Sequence, residues 1–154
     1  MLTNLPVPHR RQQSEAGCLP ACVEMVLAYA GQTHSQVALS RLLGTDTEIG
    51  TPASRVLRLQ SPALSVSYLQ ASLVDIRSWL AEQTPIIALV HTVELPYWSE
   101  RCAHAVVVVG MDDTWVWIND PAFDQVPLCV PVGDFALACD GMDNYVVVIR
   151  PSAD

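Results

Sequence analysis

Apolar residues recur at helical spacing in the first part of the chain. The stripe formed by residues 18–30 predicts an amphipathic helix, and Gly31 is a typical stop signal after it. Pro20 is compatible with this helix because it falls in the first turn, where a missing N–H costs no intrahelical hydrogen bond. A second helix is predicted at residues 35–43, and a weaker one at residues 52–59.

The pattern then changes to short runs that are typical of strands. Residues 64–69 are β-prone and predict a strand. Ser72 and Asp75 have the spacing of a capping box, which predicts the start of a helix that Pro85 must end. Residues 86–90 form a continuous apolar run, which predicts a strand covered on both faces.

The C-terminal part is predicted to be mostly sheet. Residues 103–111 and 114–119 are β-rich and meet at Asp112 and Asp113, which predicts a hairpin. Two further strands and an intervening short helix are predicted at residues 126–130, 145–149 and 133–139. Because the helices come first and the strands follow largely in sequence, the expected fold class is α+β rather than alternating β-α-β.

Composition limits the number of domains and the kinds of partner. A chain of 154 residues with 51% hydrophobic content can bury one core but is short for two, so a single domain over residues 1–154 is predicted. Sixteen acidic residues face eight basic ones, all arginine, for a formal charge of -8. Without a basic stripe to bind phosphates, nucleic acids and anionic membrane surfaces are not expected partners.

The cysteines and the N-terminal segment indicate a cytoplasmic protein. Five cysteines are an odd number with no disulfide-like spacing, which favours a reduced set of thiols. Residues 1–11 contain prolines and arginines but no apolar signal-peptide core. No apolar run is long enough for a membrane span, so membrane insertion is not predicted. Residues 1–11 are also hypothesised to lie in or near a cleft, because they precede Gln12 directly.

The segment around Cys18 carries the first candidate chemistry. Cys18 opens the first predicted helix, and a helix N-terminus favours the negative charge of a thiolate. Attack of that thiolate on a carbonyl produces an oxyanion, to which the Gln12 side chain and the backbone N–H of Cys18 would both donate. This arrangement is typical of one half of a cysteine-hydrolase site.

His104 and Asp120 supply the other half. They lie at the open end of the predicted hairpin, where cross-strand neighbours come within roughly 5 Å. A regular hairpin with an even loop would place them on opposite faces, so the catalytic interpretation requires an odd loop or a one-residue bulge. In that interpretation Cys18 is the nucleophile, His104 the general base and acid, and Asp120 the group that orients the imidazole.

Four motifs occur in an order that resembles a known family. They are Gln12, residues 18–21 at a helix start, residues 104–110 with histidine leading an apolar strand, and residues 119–121 around an aspartate. The order resembles the papain-like cysteine peptidases of the bacteriocin-processing type, which are the double-glycine leader peptidases and their stand-alone bacterial relatives.

The resemblance implies a fold, an activity and a set of site residues. It implies a papain-like fold, in which an N-terminal helical lobe packs on a C-terminal antiparallel sheet. The matching functional positions are Gln12, Cys18, His104 and Asp120. The implied activity is that of a cysteine peptidase or amidase that cleaves a peptide or protein substrate and needs no cofactor and no metal. The more specific role that the resemblance implies is leader-peptide processing.

Three alternatives remain open at this point. The family usually has glycine after the nucleophile, whereas Leu19 stands here, which favours an inactive peptide-binding module. The same catalytic residues would also serve acyl transfer to an amine. A structural zinc site is the third alternative, with a soft ligand set that consists of Cys18, Cys22, Cys102 and His104.

The remaining candidate residues have structural interpretations or are left undecided. Asn119 is an alternative orienting residue for the imidazole, but it occupies the strand face opposite to that of Asp120. Tyr97 and Trp98 are either surface residues beside a cleft or loop packing, and the pattern does not choose between these. The remaining cysteines and histidines are interpreted as core or surface residues, namely Cys22, Cys102, Cys129, Cys139, His9, His34 and His91.

Overall fold

A computed structural model describes residues 3–152. The first two residues of the N-terminal segment and the last two residues of the predicted domain lie outside the described residues. The α-helices are α1 (Cys18–Tyr29), α2 (Gln36–Leu43), α3 (Leu73–Ala81) and α4 (Val132–Asp140). The strands are β1 (Leu64–Gln70), β2 (Ile86–His91), β3 (Ala103–Met111), β4 (Trp115–Asn119), β5 (Leu128–Pro131) and β6 (Tyr145–Pro151). Short 3₁₀ helices cover Ala53–Leu59 and Thr92–Glu94.

The strands form one antiparallel sheet in the order β1-β6-β2-β3-β4-β5. Helix α1 packs against β3, and α4 packs against β2. The α+β prediction and the predicted elements are confirmed, with boundary shifts of a few residues. Among the described residues, none of the helices has the length and hydropathy needed to cross a bilayer.

Local signals explain where the helices begin and end. Ser35 caps α2 by accepting the N–H of Ala38, and Gly44 ends it in the left-handed conformation at φ 64°. Ser72 and Asp75 form the predicted capping box at the start of α3. The predicted helix at residues 52–59 is a 3₁₀ helix instead, without a side-chain cap at its start.

Both faces of the central strands are buried. Between Ala105 and Val109, odd-numbered residues of β3, such as Val107, face the core that includes α1, whereas even-numbered residues, such as Val106, face the core that includes α4. This arrangement confirms that the apolar run 86–90 is a strand covered on both sides. The two cores fix the position of the sheet between α1 and α4.

The β3–β4 hairpin contains a bulge. Met111 pairs with Val116 and Gly110 with Trp117, but beyond them Val108 pairs with Ile118. Val109 is therefore the extra residue, and it changes the face relationship between the two strands toward their open end. The sequence analysis required an odd loop or such a bulge to place His104 and Asp120 on one face.

The N-terminal segment covers this bulge. The Leu5 N–H donates to the Val109 carbonyl over 2.8 Å, so the carbonyl of the extra residue is satisfied. A Cβ on Gly110 would lie 2.0 Å from Asn4 Oδ1, which shows how closely the segment approaches the strand. Leu5 and Val7 are buried in the core that includes α1. Residues 3–11 do not line the cavity that borders Cys18 and His104, so the part of the hypothesis that places the segment in a cleft is wrong for these residues, and the part that places it near a cleft stays a prediction.

Candidate active site

Cys18 is the first residue of α1, which places its side chain at the helix N-terminus. The chain enters the helix through a tight turn, in which the Gly17 N–H donates to the Ser14 carbonyl over 3.1 Å. A Cβ on Gly17 would lie 2.8 Å from Ser14 Oγ, so glycine fits this close approach. Because the first N–H groups of a helix have no intrahelical acceptor, the backbone N–H of Cys18 points out of the helix.

His104 and Asp120 form a buried pair. His104 is the second residue of β3 and is 6% exposed, and Asp120 follows β4 and is fully buried. His104 Nε2 lies 2.7 Å from Asp120 Oδ1. The structure thus brings together two of the predicted site residues. The other ring nitrogen of His104, Nδ1, takes no part in this bond.

Four donors satisfy the Asp120 carboxylate. Oδ1 accepts the His104 bond and also the backbone N–H of Ala122 at 2.9 Å. Oδ2 accepts the hydroxyl of Tyr97 at 2.7 Å and the indole N–H of Trp98 at 2.9 Å. The sequence analysis left Tyr97 and Trp98 undecided. The sequence feature that could have indicated their role is the adjacency of two aromatic residues with polar hydrogens, because such hydrogens need acceptors when they are buried.

Aromatic rings enclose the histidine. Trp98 meets the His104 ring edge to face, with centroids 4.8 Å apart and an interplanar angle of 66°. Phe123 packs edge to face on Tyr97 at 5.1 Å and on Trp98 at 5.3 Å. His9 Nε2 lies 2.6 Å from the Phe123 carbonyl, which connects the N-terminal segment to this shell. The shell limits the access of water to the His104–Asp120 pair.

The charges of the pair stabilise each other. Burial of the His104 ring lowers its pKa, but hydrogen bonds to Asp120 and Cys18 and the charges of both residues outweigh burial and raise the pKa from 6.5 to about 9. Burial also disfavours ionised Asp120, yet its bonds to His104, Ala122 and Trp98 hold the pKa of this carboxyl below 3.8. Burial and the neighbouring carboxylate raise the pKa of Tyr97, which remains a hydrogen-bond donor. At neutral pH the pair is an imidazolium and a carboxylate.

Gln12 lies beside Cys18 but its amide group is occupied. Its Nε2 donates to the Ser14 carbonyl at 2.9 Å and to the Glu15 carbonyl at 3.1 Å. Its Oε1 is buried and has no hydrogen-bond partner among the described residues. The structure therefore places Gln12 ahead of α1, with both amide hydrogens directed at carbonyls of the loop before this helix.

Gln12, Cys18, Trp98 and His104 border one cavity of about 1140 Å³, which we call the Cys18 cleft. Further borders are formed by residues 47–53, by the start of β3 and by the turn before β6. This volume is large enough for several residues of a peptide. The Cys18 thiol and the His104 imidazole, with Asp120 buried behind it, thus border the same accessible space as Gln12.

Sequence comparison decides the family. The sequence model of the Peptidase_C39-like family matches residues 4–136. The chain belongs to the Peptidase_C39-like family. The resemblance to peptidases of the bacteriocin-processing type is thus confirmed at the level of the family. No functionally curated protein matches the chain.

Solved structures confirm the papain-like C39 fold. A Bacillus anthracis protein described as a C39-like peptidase superposes with a TM-score of 0.76 at 18% identity, covering 97% of this chain and 96% of that one. A double-glycine motif protease from an AMS/PCAT transporter, in complex with the leader peptide, gives 0.73 at 19% identity, with 97% and 94% covered. The peptidase domain of Streptococcus ComA, a bifunctional ABC transporter of a quorum-sensing pathway, gives 0.76 at 19% identity, with 94% and 98% covered.

In this C39-like chain Leu19 borders the Cys18 cleft but exposes little of its surface there. It is 3% exposed, and its side chain belongs to the core beneath α1. Cys22 lies one turn further along the same helix and is fully buried, as predicted, which raises the pKa of its thiol. Most of the Leu19 side chain is therefore taken up by the core, and the inactive peptide-binding module stays an open alternative.

The zinc alternative lacks a ligand set in the part of the chain that the structure describes. Nowhere between residues 3 and 152 do three or more His, Cys, Asp or Glu side chains stand where they could hold a metal ion. His104 directs Nε2 at Asp120 instead. Asn119 is on the opposite face, as expected, and donates from Nδ2 to the Val7 carbonyl at 3.2 Å.

Proposed function

We propose that this protein is a cysteine peptidase that cleaves a peptide through Cys18, His104 and Asp120. The observation that carries the proposal is that His104, hydrogen-bonded to the buried Asp120, borders the same cleft as the thiol at the N-terminus of α1. Membership of a peptidase family supports the reaction class. A structurally similar double-glycine protease is found in complex with a leader peptide, which supports leader-peptide processing as the specific role.

The first step is acylation of Cys18. The thiolate attacks the peptide carbonyl carbon, the C–S bond forms, and the carbonyl oxygen becomes an oxyanion. The backbone N–H of Cys18 donates to this oxygen. Gln12 supplies the second donor only after it exchanges one of its bonds to the Ser14 or Glu15 carbonyls, since both amide hydrogens are engaged.

His104 then moves the proton. As an imidazolium it protonates the leaving amine from Nδ1, the C–N bond breaks, and a thioester remains on Cys18. A water molecule that gives its proton to the neutral imidazole hydrolyses this thioester and regenerates the thiol. Asp120 keeps Nε2 fixed throughout, because its own position is determined by Tyr97 and Trp98.

One observation favours a second candidate, a peptide-binding module without turnover. The occupied amide of Gln12 leaves one oxyanion donor, the Cys18 N–H, in place before any rearrangement.

Acyl transfer would use the same residues with an amine instead of water as the acceptor. The free state of Cys18, Cys22, Cys102, Cys129 and Cys139 supports activity in a reducing compartment, and we propose the cytoplasm.

Thiol reactivity and peptide cleavage together test the proposal. Site-resolved alkylation with iodoacetamide at about pH 6 is expected to modify Cys18 faster than the exposed Cys129, and His104→Ala is expected to abolish the difference. Cleavage of double-glycine peptides is expected to disappear in Cys18→Ser and to persist in the matched control Cys129→Ser. Equal alkylation of Cys18 and Cys129, or cleavage by Cys18→Ser, would overturn the proposal. Peptide binding without cleavage would favour the binding module.

A further inference from the structure

The border of the Cys18 cleft is negatively charged. Carboxylates from four separate segments line it, namely Glu15, Glu48, Glu100 and Asp143, and no arginine of residues 3–152 joins them. The ion-paired arginines are elsewhere, at the pairs Arg11–Asp124, Arg77–Asp113 and Arg150–Glu82. A cleft of this charge attracts cations and repels acidic peptides.

One part of this border also presents an aromatic surface. Tyr68 on β1 and Tyr145 on β6 stack with centroids 4.7 Å apart and an interplanar angle of 17°. Both tyrosines are half-buried and both border the cleft. A stacked pair with an accessible face is a surface on which a flat cation binds well.

Asp143 lies beside the tyrosine pair. It precedes Tyr145 by two residues, in the turn between α4 and β6, and its side chain is exposed without an ion pair in the described structure. Burial, Tyr145 and the negative charge of Asp143 together raise the pKa of Tyr68, which is consistent with this proximity.

The backbone holds Asp143 in a costly conformation. Asp143 and Asn144 have φ values of 58° and 60°, in the left-handed region that glycine adopts more easily. The turn is anchored from both sides of the residue, because Gln70 Nε2 donates to the Asp143 carbonyl at 3.1 Å and Ala71 N–H donates to the Asn144 carbonyl at 2.9 Å. A strained residue at the rim of a cleft is a candidate for a functional role.

We propose that Asp143, Tyr68 and Tyr145 form a subsite for an arginine side chain of the peptide substrate. This inference rests on the proposed function, because it assigns specificity to the same cleft. A guanidinium stacks its flat face on a tyrosine ring and directs its N–H fork at a carboxylate, a combination that a lysine ammonium uses less well. The other three carboxylates of the cleft add a longer-range attraction that salt weakens.

The first test compares peptides that differ by one residue. Peptides with arginine or glutamine at each position around the scissile bond are cleaved by the parent protein, by Asp143→Asn and by Tyr68→Leu. At one position we expect kcat/KM of the parent protein to be about tenfold higher for the arginine peptide than for the glutamine peptide. In both variants we expect this preference to fall to about threefold or less. The matched control Glu94→Gln removes an exposed carboxylate outside the cleft and should keep the parent ratio.

A second measurement separates this inference from the proposed function. Calorimetric binding of the same peptides to the Cys18→Ser protein requires no turnover. Preference for the arginine peptide that disappears on Asp143→Asn supports the subsite even if the parent protein cleaves nothing. Cleavage or binding without an arginine preference, or with a preference that survives Asp143→Asn, overturns the subsite and leaves the peptidase proposal standing. Failure of Cys18→Ser to bind any peptide of the set also overturns it.

Discussion

Substitution Tyr97→Phe tests whether the donors to Asp120 hold the catalytic pair in place. The change removes the hydroxyl that donates to Asp120 Oδ2 at 2.7 Å, while the ring that packs on Phe123 is kept. A hydrogen bond to a buried charge contributes about 1.5–3 kcal/mol, so we expect the free energy of unfolding to fall by about 2 kcal/mol at pH 7.

The pH dependence of this loss follows from the carboxylate. Loss of one donor raises the pKa of Asp120 in the folded variant relative to the parent, where it is held below 3.8. A depressed folded pKa stabilises above the unfolded value, and this stabilisation is lost as pH falls through the folded pKa. The difference between parent and variant should therefore be largest at neutral pH and shrink as the pH falls below about 4.

Urea unfolding at pH 7 and at about pH 3 measures both effects, and peptide cleavage at pH 7 measures the consequence for the proposed activity. Tyr29→Phe is the matched control, because it removes a hydroxyl that donates at the surface to the Gln83 carbonyl over 2.9 Å. A loss for Tyr97→Phe no greater than that for Tyr29→Phe, or a loss independent of pH, would refute the reasoning.

Three further outcomes are expected. The raised pKa of His104 stabilises the folded protein, fully below pH 6.5, and this stabilisation is lost as the pH rises through about 9. The loss is on the order of 3 kcal/mol and should be visible as a Tm that falls with rising pH. The same fall should be absent in His104→Gln. Asp143→Gly relieves a left-handed residue, so the unfolding free energy should change by less than about 1 kcal/mol while arginine preference is lost, and a large drop would contradict this. Gly110→Ala places a Cβ against Asn4 and should expose the N-terminal segment to limited proteolysis, whereas Gly133→Ala, which meets no atom within 4 Å, should not.

Periodic segments and caps could be predicted from the sequence. The capping box of Ser72 and Asp75 and the glycine stop at Gly44 act within a few residues, so local pattern determines them. The apolar spacing of residues 52–59 predicts a helix but does not distinguish an α-helix from the 3₁₀ helix that Ala53–Leu59 forms.

The β3–β4 hairpin shows a second limit of prediction from the sequence. Residue counting established that His104 and Asp120 need a change of register to share a face, but the position of that change is determined by tertiary contacts. Val109 bulges where the N-terminal segment supplies the Leu5 N–H to its carbonyl, and this partner lies far away in sequence.

The candidate site was also only partly accessible to sequence reasoning. Cys18, His104 and Asp120 stand at recognisable places on elements, at a helix start and at strand ends. Tyr97 and Trp98 lie in an irregular loop whose path is decided by packing, so no periodicity shows where their polar hydrogens point. The orientation of a single amide, as in Gln12, is likewise decided by local carbonyls.

The four donors to Asp120 also couple activity to the completion of folding. They belong to the loop before β3, to β3 itself and to the turn after β4, so the carboxylate is fully satisfied only when all three have assembled. A partly folded chain would bear the Cys18 thiol but not the oriented imidazolium. The proposed reaction would therefore begin only after the loop has docked on the finished hairpin.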